Sequence, residues 1–287
     1  MIAGIDVGTT ITKAVFIEDG RLTLKVKTRA SDAITAATGA LGKIVLENGI
    51  PMSAIEGIRI TGVGAAQIKN DIFGIPTSRV DEIKAIGTGG MFLSGLDNII
   101  IANIGTGTAI IEANEQGISH FGGSGVGGGT IIGLAKKLLP TAEFSEIVKL
   151  AEAGNLSTVD LLLEDIMDKD MGFLNRKTTA SNFGKMSDGA NSGDIALAVI
   201  NMVYQVIGML SVFAARAKNI NRVIVTGNGS RNKIGQKVLA EITGMYGTEF
   251  IYPADAEYTT AVGAGLVPEE STSPQSTTPP QAAGYVV

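Results

Sequence analysis

The sequence predicts an α/β protein built on a duplicated strand–turn–strand unit whose two turns face a common cleft. Three observations carry this expectation. Many of the 38 glycines fall in short clusters without collagen periodicity, namely GIDVGTT, TGVG, GTGG, NIGTGT, GGSGVGGGT and TGNGS. Clustered glycine marks turns where the backbone must come close to something. Asp6-Val7-Gly8-Thr9 also recurs as Asn103-Ile104-Gly105-Thr106, with an apolar strand before and after each copy. Finally, both glycine turns lead into strands, and no GxxxxGK[ST] occurs. Turns that feed a helix, as in P-loop and Rossmann proteins, are therefore excluded.

The elements follow in order. Residues 2–8 and 11–17 read as strands around the first turn. Asp19-Gly20 then signals a hairpin into the alternating Leu22, Leu24 and Val26. A helix over 31–48 has Ser31 or Asp32 as its cap and Asn48-Gly49 as its stop. Strands at 58–61 and 76–80 precede a helix that begins at Asp81 or Glu82. The second half reopens with strands at 99–104 and 109–113. Helices follow at 130–139, 144–153, 158–167 and 194–218, then a strand at 223–226, a helix at 232–243, a strand at 249–252 and a last helix at 258–266. Two domains are expected, 1–97 and 98–267. Residues 268–287, rich in Pro, Ser and Thr, read as a mobile tail.

Composition narrows the chemistry. A net charge of -5 argues against a nucleic-acid partner. With no cysteine and a single histidine, His120, there is no disulfide framework, thiolate zinc site, cysteine nucleophile or cysteine-held iron–sulfur cluster. A hard cation such as Mg²⁺, held by oxygen and phosphate, remains open. The opening MIAGIDVGTT lacks the basic region of a signal peptide, and the apolar stretch 195–217 is interrupted by polar residues. No membrane association and a cytoplasmic location are expected.

Successive backbone N–H groups in such turns can converge on an anion, so two facing turns could hold the terminal phosphates of a nucleotide from both sides. Asp6, at a strand end, could orient Mg²⁺ and phosphate or simply brace its turn. Lys13 could set a cation beside phosphate or be a solvated edge lysine. Gly122, Gly123, Gly127, Gly128 and Gly129 precede a helix whose N-terminus could receive phosphate; a plain loop is the alternative.

GIDVGTTITK resembles the first phosphate motif of the actin, sugar-kinase and heat-shock chaperone superfamily, NIGTGT its second and TGNGS its adenosine motif. GGSGVGGGT (122–130) and TASNFGK (179–185) resemble stretches of type II pantothenate kinases. The ordered set covers roughly residues 1–267. The resemblance implies a ribonuclease H-like, actin-type ATPase fold of two similar domains with duplicated β-hairpin phosphate motifs flanking a nucleotide cleft. It also implies ATP and Mg²⁺, phosphorylation of pantothenate at the head of coenzyme A biosynthesis, and a homodimer.

It further implies that Glu82 of VDEIKA is the general base and Asp81 a helix cap; decoration of a helix start is the bland alternative. Asp6 and Lys13 join Glu82 at the reacting phosphate. Gly8, Thr9, Thr10, Gly105, Thr106, Gly107 and Thr108 hold phosphate, and Gly227, Gly229 and Ser230 line the adenosine pocket. Asn182 closes the site. His120 stands where the family has an arginine, without that side chain's permanent charge and bidentate fork. Thr9 replaces a glycine common in the family. Two other readings stay open: a kinase for another alcohol or sugar, and an actin-like switch with no metabolite substrate. The similar dehydratase-activator ATPases need a cysteine-held cluster, which this chain cannot provide.

Overall fold

The computed structural model describes residues 1–29, 32–168 and 176–268. Strands β1 (Ile2–Val7), β2 (Thr12–Glu18) and β3 (Arg21–Thr28) open the chain, followed by α1 (Ala33–Asn48), β4 (Gly57–Thr61), β5 (Thr77–Arg79) and α2 (Glu82–Ser94). The second half runs β6 (Ile99–Ile104), β7 (Thr108–Asn114), β8 (Gly117–Ser124), α3 (Gly128–Leu138), α4 (Phe144–Ala151), β9 (Leu161–Leu162) and β10 (Thr179–Ser181). It finishes with α5 (Ser192–Ala217), β11 (Arg222–Thr226), α6 (Lys233–Tyr246), β12 (Glu249–Ile251) and α7 (Thr259–Leu266).

The two five-stranded sheets are copies of one topology. The first has the order β3-β2-β1-β4-β5 and the second β12-β11-β6-β7-β8, the same path listed from the other edge. In each, three antiparallel strands are extended by two parallel ones. The repeat seen in two short motifs therefore extends over both sheets.

Each sheet is covered on both faces, which is why β1 is buried from Ala3 to Val7. Helix α1 packs Ala37, Leu41 and Ile44 with Ile5, Val7 and Phe16 of the first sheet. Helix α5, long and apolar enough to cross a membrane, instead lies mostly buried in the core of the second sheet with α6. The inner faces are covered crosswise. Ile86 of α2 packs on Ile99, Ile101 and Ile224 of the second sheet, whereas Ala261 and Val262 of α7 pack on Val15 and Ile17 of the first. Helices α2 and α7 thus lie between the sheets and bolt one half of the chain to the other.

Local signals explain several boundaries. Asp32 caps α1 by accepting from the Thr35 amide at 2.8 Å, and Gly49 ends it in the left-handed region; Ser31 lies outside the described residues. Asp81 caps α2, accepting from the Lys84 amide at 2.9 Å, so Glu82 is its first helical residue. The tail beyond Pro268 also lies outside the described residues.

Two expectations are overturned. No helix spans 158–167: that stretch holds a short 3₁₀ turn, β9 and a second 3₁₀ turn. They gather around Asp160, which is fully buried and accepts from the Phe183 amide (2.9 Å), Asn201 (2.9 Å), Thr179 (3.1 Å) and Asn182 (3.4 Å). Gly122 and Gly123 lie neither in a loop nor at a helix start but in β8, where they pair with Ile110 and Ala109 of β7.

Candidate active site

The β1–β2 and β6–β7 turns meet across the cleft. Thr9 and Thr106, equivalent residues 97 positions apart, bring their hydroxyls within 3.1 Å of each other. Gly8, Thr10, Gly105 and Gly107 flank this contact in the same two turns. Thr108 is buried and its hydroxyl donates to the Val126 carbonyl at 2.8 Å, so it braces its turn and has no hydrogen left for a ligand.

The start of α3 seats the second turn. The Gly128 and Gly129 amides donate to the Gly105 and Thr106 carbonyls at 2.9 and 2.8 Å, and the Gly127 amide donates to Thr130 at 3.1 Å. The amides expected to greet phosphate at this helix start are therefore occupied within the protein. These three glycines allow the turn and the helix to touch backbone to backbone.

Strand pairing sets a polar row under the first turn. Asp6 stands opposite Lys13 on β2 and Thr61 on β4, and Lys13 stands opposite Lys27 on β3; directly paired residues share a face. Lys13 Nζ is 3.8 Å from Asp6 Oδ2, and both residues are buried. Because β2 is an inner strand, the edge-lysine alternative is excluded. Burial pushes the Asp6 carboxyl above its ordinary range, and the Lys13 charge draws it part of the way back. Burial lowers Lys13, while Asp6 and Glu257 hold it up. Such an under-solvated pair gains from an added anion beside the lysine and a cation beside the carboxylate.

Glu82 faces this row from the start of α2. Its carboxyl is pushed above the usual glutamate range by partial burial first, then by the negative charges of Asp6 and Asp81. Among the described residues, no three His, Asp or Glu side chains form a ready cation cage. A lone buried carboxylate beside the unpartnered hydroxyl of Thr61 nevertheless suits Mg²⁺, which keeps most of its waters and takes one or two carboxylates plus phosphates.

A cavity of about 310 Å³ adjoins this row, lined by Ser230, Arg231, Gln236, Tyr252 and Glu257 among others. Ser230 lies on its wall. Gly227 and Gly229 instead press on the β6 strand, and the Gly229 carbonyl accepts from Tyr204 at 2.7 Å. Sequence reading missed Glu257, which is buried and paired with both Arg231 and Lys27, the latter at 3.2 Å. The lysines alternating along β3 were its one signal. His120 is exposed on β8 opposite Ile111. Asn182 spends its amide on Gln205 and Asp160, at 3.1 and 3.4 Å.

The family model described as Fumble matches residues 96–266. The type II pantothenate kinase of Bacillus cereus (strain AH820) is 30% identical over 275 residues, covering 92% of this chain and 96% of that protein. This chain belongs to the type II pantothenate kinase family. The fold is the actin-like ATPase fold, and two solved structures share it. The activator of 2-hydroxyisocaproyl-CoA dehydratase from Clostridium difficile with bound ADPNP superposes with a TM-score of 0.66 at 18% identity, over 92% of each chain. A ROK family glucokinase from Streptomyces griseus in complex with glucose and AMPPNP gives 0.56 at 12% identity, over 92% of this chain and 97% of that one.

Proposed function

We propose that this protein is an ATP-dependent kinase that phosphorylates the primary hydroxyl of pantothenate, the first step of coenzyme A biosynthesis. The observation that carries the reading is the meeting of Thr9 and Thr106, which leaves two glycine turns facing one cleft with Glu82 beside it, in a member of this family.

In this reading the amides of Gly8, Thr9, Thr10, Thr106 and Gly107 hold the β- and γ-phosphates from opposite walls, while the Gly105 amide shapes the second turn by donating to the Gly107 carbonyl at 2.9 Å. Lys13 balances charge on the transferring group. Asp6 is the residue that would hold Mg²⁺, which when bound neutralises phosphate charge. Glu82 accepts the proton of the pantothenate hydroxyl as its oxygen bonds to the γ-phosphorus; the bond from that phosphorus to the bridging oxygen breaks, and ADP leaves. The 310 Å³ cavity takes the adenosine, with Ser230 on its wall. His120 contributes to the acceptor side as a hydrogen-bonding group without the fixed charge and bidentate fork of an arginine.

The reading also includes a cytoplasmic enzyme, a domain division at residues 97/98 and a homodimer joined through α5. Supporting the dimer, Phe213 is exposed, and Met202, Val206 and Met209 lie half-buried on the same helical stripe.

The direct test incubates the purified protein with Mg-ATP and a panel of small alcohols, with phosphorylated product detected by mass. Phosphopantothenate is the expected product. ATP consumption that proceeds equally without any alcohol would instead favour the nucleotide-switch reading.

A further inference from the structure

The duplication allows one sheet to be compared with the other, position by position. Thr61-Gly62-Val63-Gly64 follows β4 as Thr226-Gly227-Asn228-Gly229 follows β11. Gly62 and Gly227 both take positive φ, 86° and 76°. A Cβ on Gly62 would sit 2.7 Å from Asp6 Oδ1, and one on Gly227 would sit 2.9 Å from Asn103 Oδ1. A Cβ on either second glycine would strike the equivalent side chain, Val7 at 2.5 Å from Gly64 and Ile104 at 2.3 Å from Gly229. The register agrees: Thr61 pairs with Asp6, and Thr226 with Asn103. Thr61 therefore stands to Asp6 as Thr226 stands to Asn103.

On the second sheet this pair is closed, since the Thr226 hydroxyl donates to Asn103 Oδ1 at 3.0 Å. On the first sheet it is open. Thr61 is 1% exposed, and its hydroxyl has no partner. A buried hydroxyl left unpaired is costly, and in a well-packed sheet it calls for a state of the protein that uses it. Asp6 now leans toward Lys13, 3.8 Å away. A nucleotide would offer Lys13 a different anion and free the carboxylate to turn.

We propose that Thr61 is the positioning residue of Asp6: in the nucleotide-bound enzyme its hydroxyl donates to the Asp6 carboxylate and fixes its direction, closing the pair as Thr226 closes the other. The inference rests on the reading of Asp6 as the carboxylate that holds Mg²⁺. The conserved shape of the two turns supplies the geometry, and the change from asparagine to aspartate explains why only one pair closes without ligand. Asn103 is a neutral, permanently available acceptor, whereas Asp6 is shared with a lysine.

The test compares Thr61→Val, which keeps the shape and removes the hydroxyl, with Thr61→Ser, which keeps the hydroxyl. ADP binding is measured by titration calorimetry with Mg²⁺ and with EDTA, alongside kcat and the KM for ATP. Groups that orient a metal-holding side chain change metal affinity or activity by roughly 10–100-fold when lost. The expected result is a fall of that order in Mg²⁺-dependent ADP affinity and in kcat for Thr61→Val, unchanged binding in EDTA, and recovery in Thr61→Ser. Wild-type Mg²⁺-dependent binding in Thr61→Val would overturn the inference, as would an equal loss with and without Mg²⁺. Should the valine variant fail to fold, Thr61→Ala replaces it against the same serine standard, with the same two outcomes. The calorimetry needs no acceptor, so a wrong acceptor assignment leaves it intact. ADP binding by the unaltered protein that ignores Mg²⁺ would overturn the Asp6 reading itself.

Discussion

Replacing Glu82 with glutamine lowers kcat for pantothenate phosphorylation by about 10²–10⁴-fold, the range expected on losing a positioned general base, while ATP still binds. The residue opens α2 because Asp81 takes the cap, and that placement sets its carboxyl toward Asp6. Burial and two neighbouring negative charges raise its pKa above the ordinary value of 4.5. The sign for activity follows. Below the raised pKa the carboxyl is protonated and cannot accept the hydroxyl proton, so kcat rises with pH through a limb on the alkaline side of an ordinary glutamate. In Glu82→Gln that limb disappears along with the rate. Steady-state kinetics across pH check both parts, and a variant with wild-type kcat would remove Glu82 as the base.

Gly263→Ala strikes the joint between the halves. A Cβ there would lie 1.7 Å from the Ala85 carbonyl oxygen, and on the facing helix one at Gly89 would lie 2.0 Å from the Thr259 carbonyl oxygen. Both obstacles are backbone, so no side chain can swing aside; α2 and α7 must separate. Overpacking of this kind costs about 3 kcal/mol or more. For a chain of this size that corresponds to a fall in Tm of roughly 5 °C or more. Thermal unfolding checks it, and an unchanged Tm would contradict the close helix crossing. Activity should fall with the fold, because these helices hold the two sheets, and hence the two turns, in register with each other.

Much of this was legible because it is local. Asp19-Gly20 reads as a hairpin turn, and both residues take positive φ, 49° and 72°. Asp32, Asp81 and the glycines that end α1 and α2 mark helix boundaries through short-range hydrogen bonds. The matched Asp6 and Asn103 motifs announced the duplication, and Thr9 and Thr106 then met.

What was not legible depends on distant partners. Leu161-Leu162-Leu163 resembles a helical apolar stripe, yet its backbone is bent around Asp160, whose partners Thr179 and Asn201 lie 19 and 41 residues further along the chain. The glycine-rich β8 has little strand propensity and is held by its pairing with β7. An apolar helix stripe does not say which sheet it will cover, so the crossed placement of α2 and α7 could not be read. The equivalence of TGVG and TGNG was present in the sequence. Recognising it needed the two sheets side by side.

Phosphoryl transfer here requires two bends, far apart in the chain, to close on the same phosphates. Backbone amide NMR of the protein titrated with Mg-AMPPNP and, separately, with AMP tests this directly. The amides of Gly8, Thr9 and Thr10 and those of Thr106 and Gly107 should shift together with the triphosphate analogue and stay in place with AMP. Shifts confined to one bend, or equal shifts with both nucleotides, would contradict it.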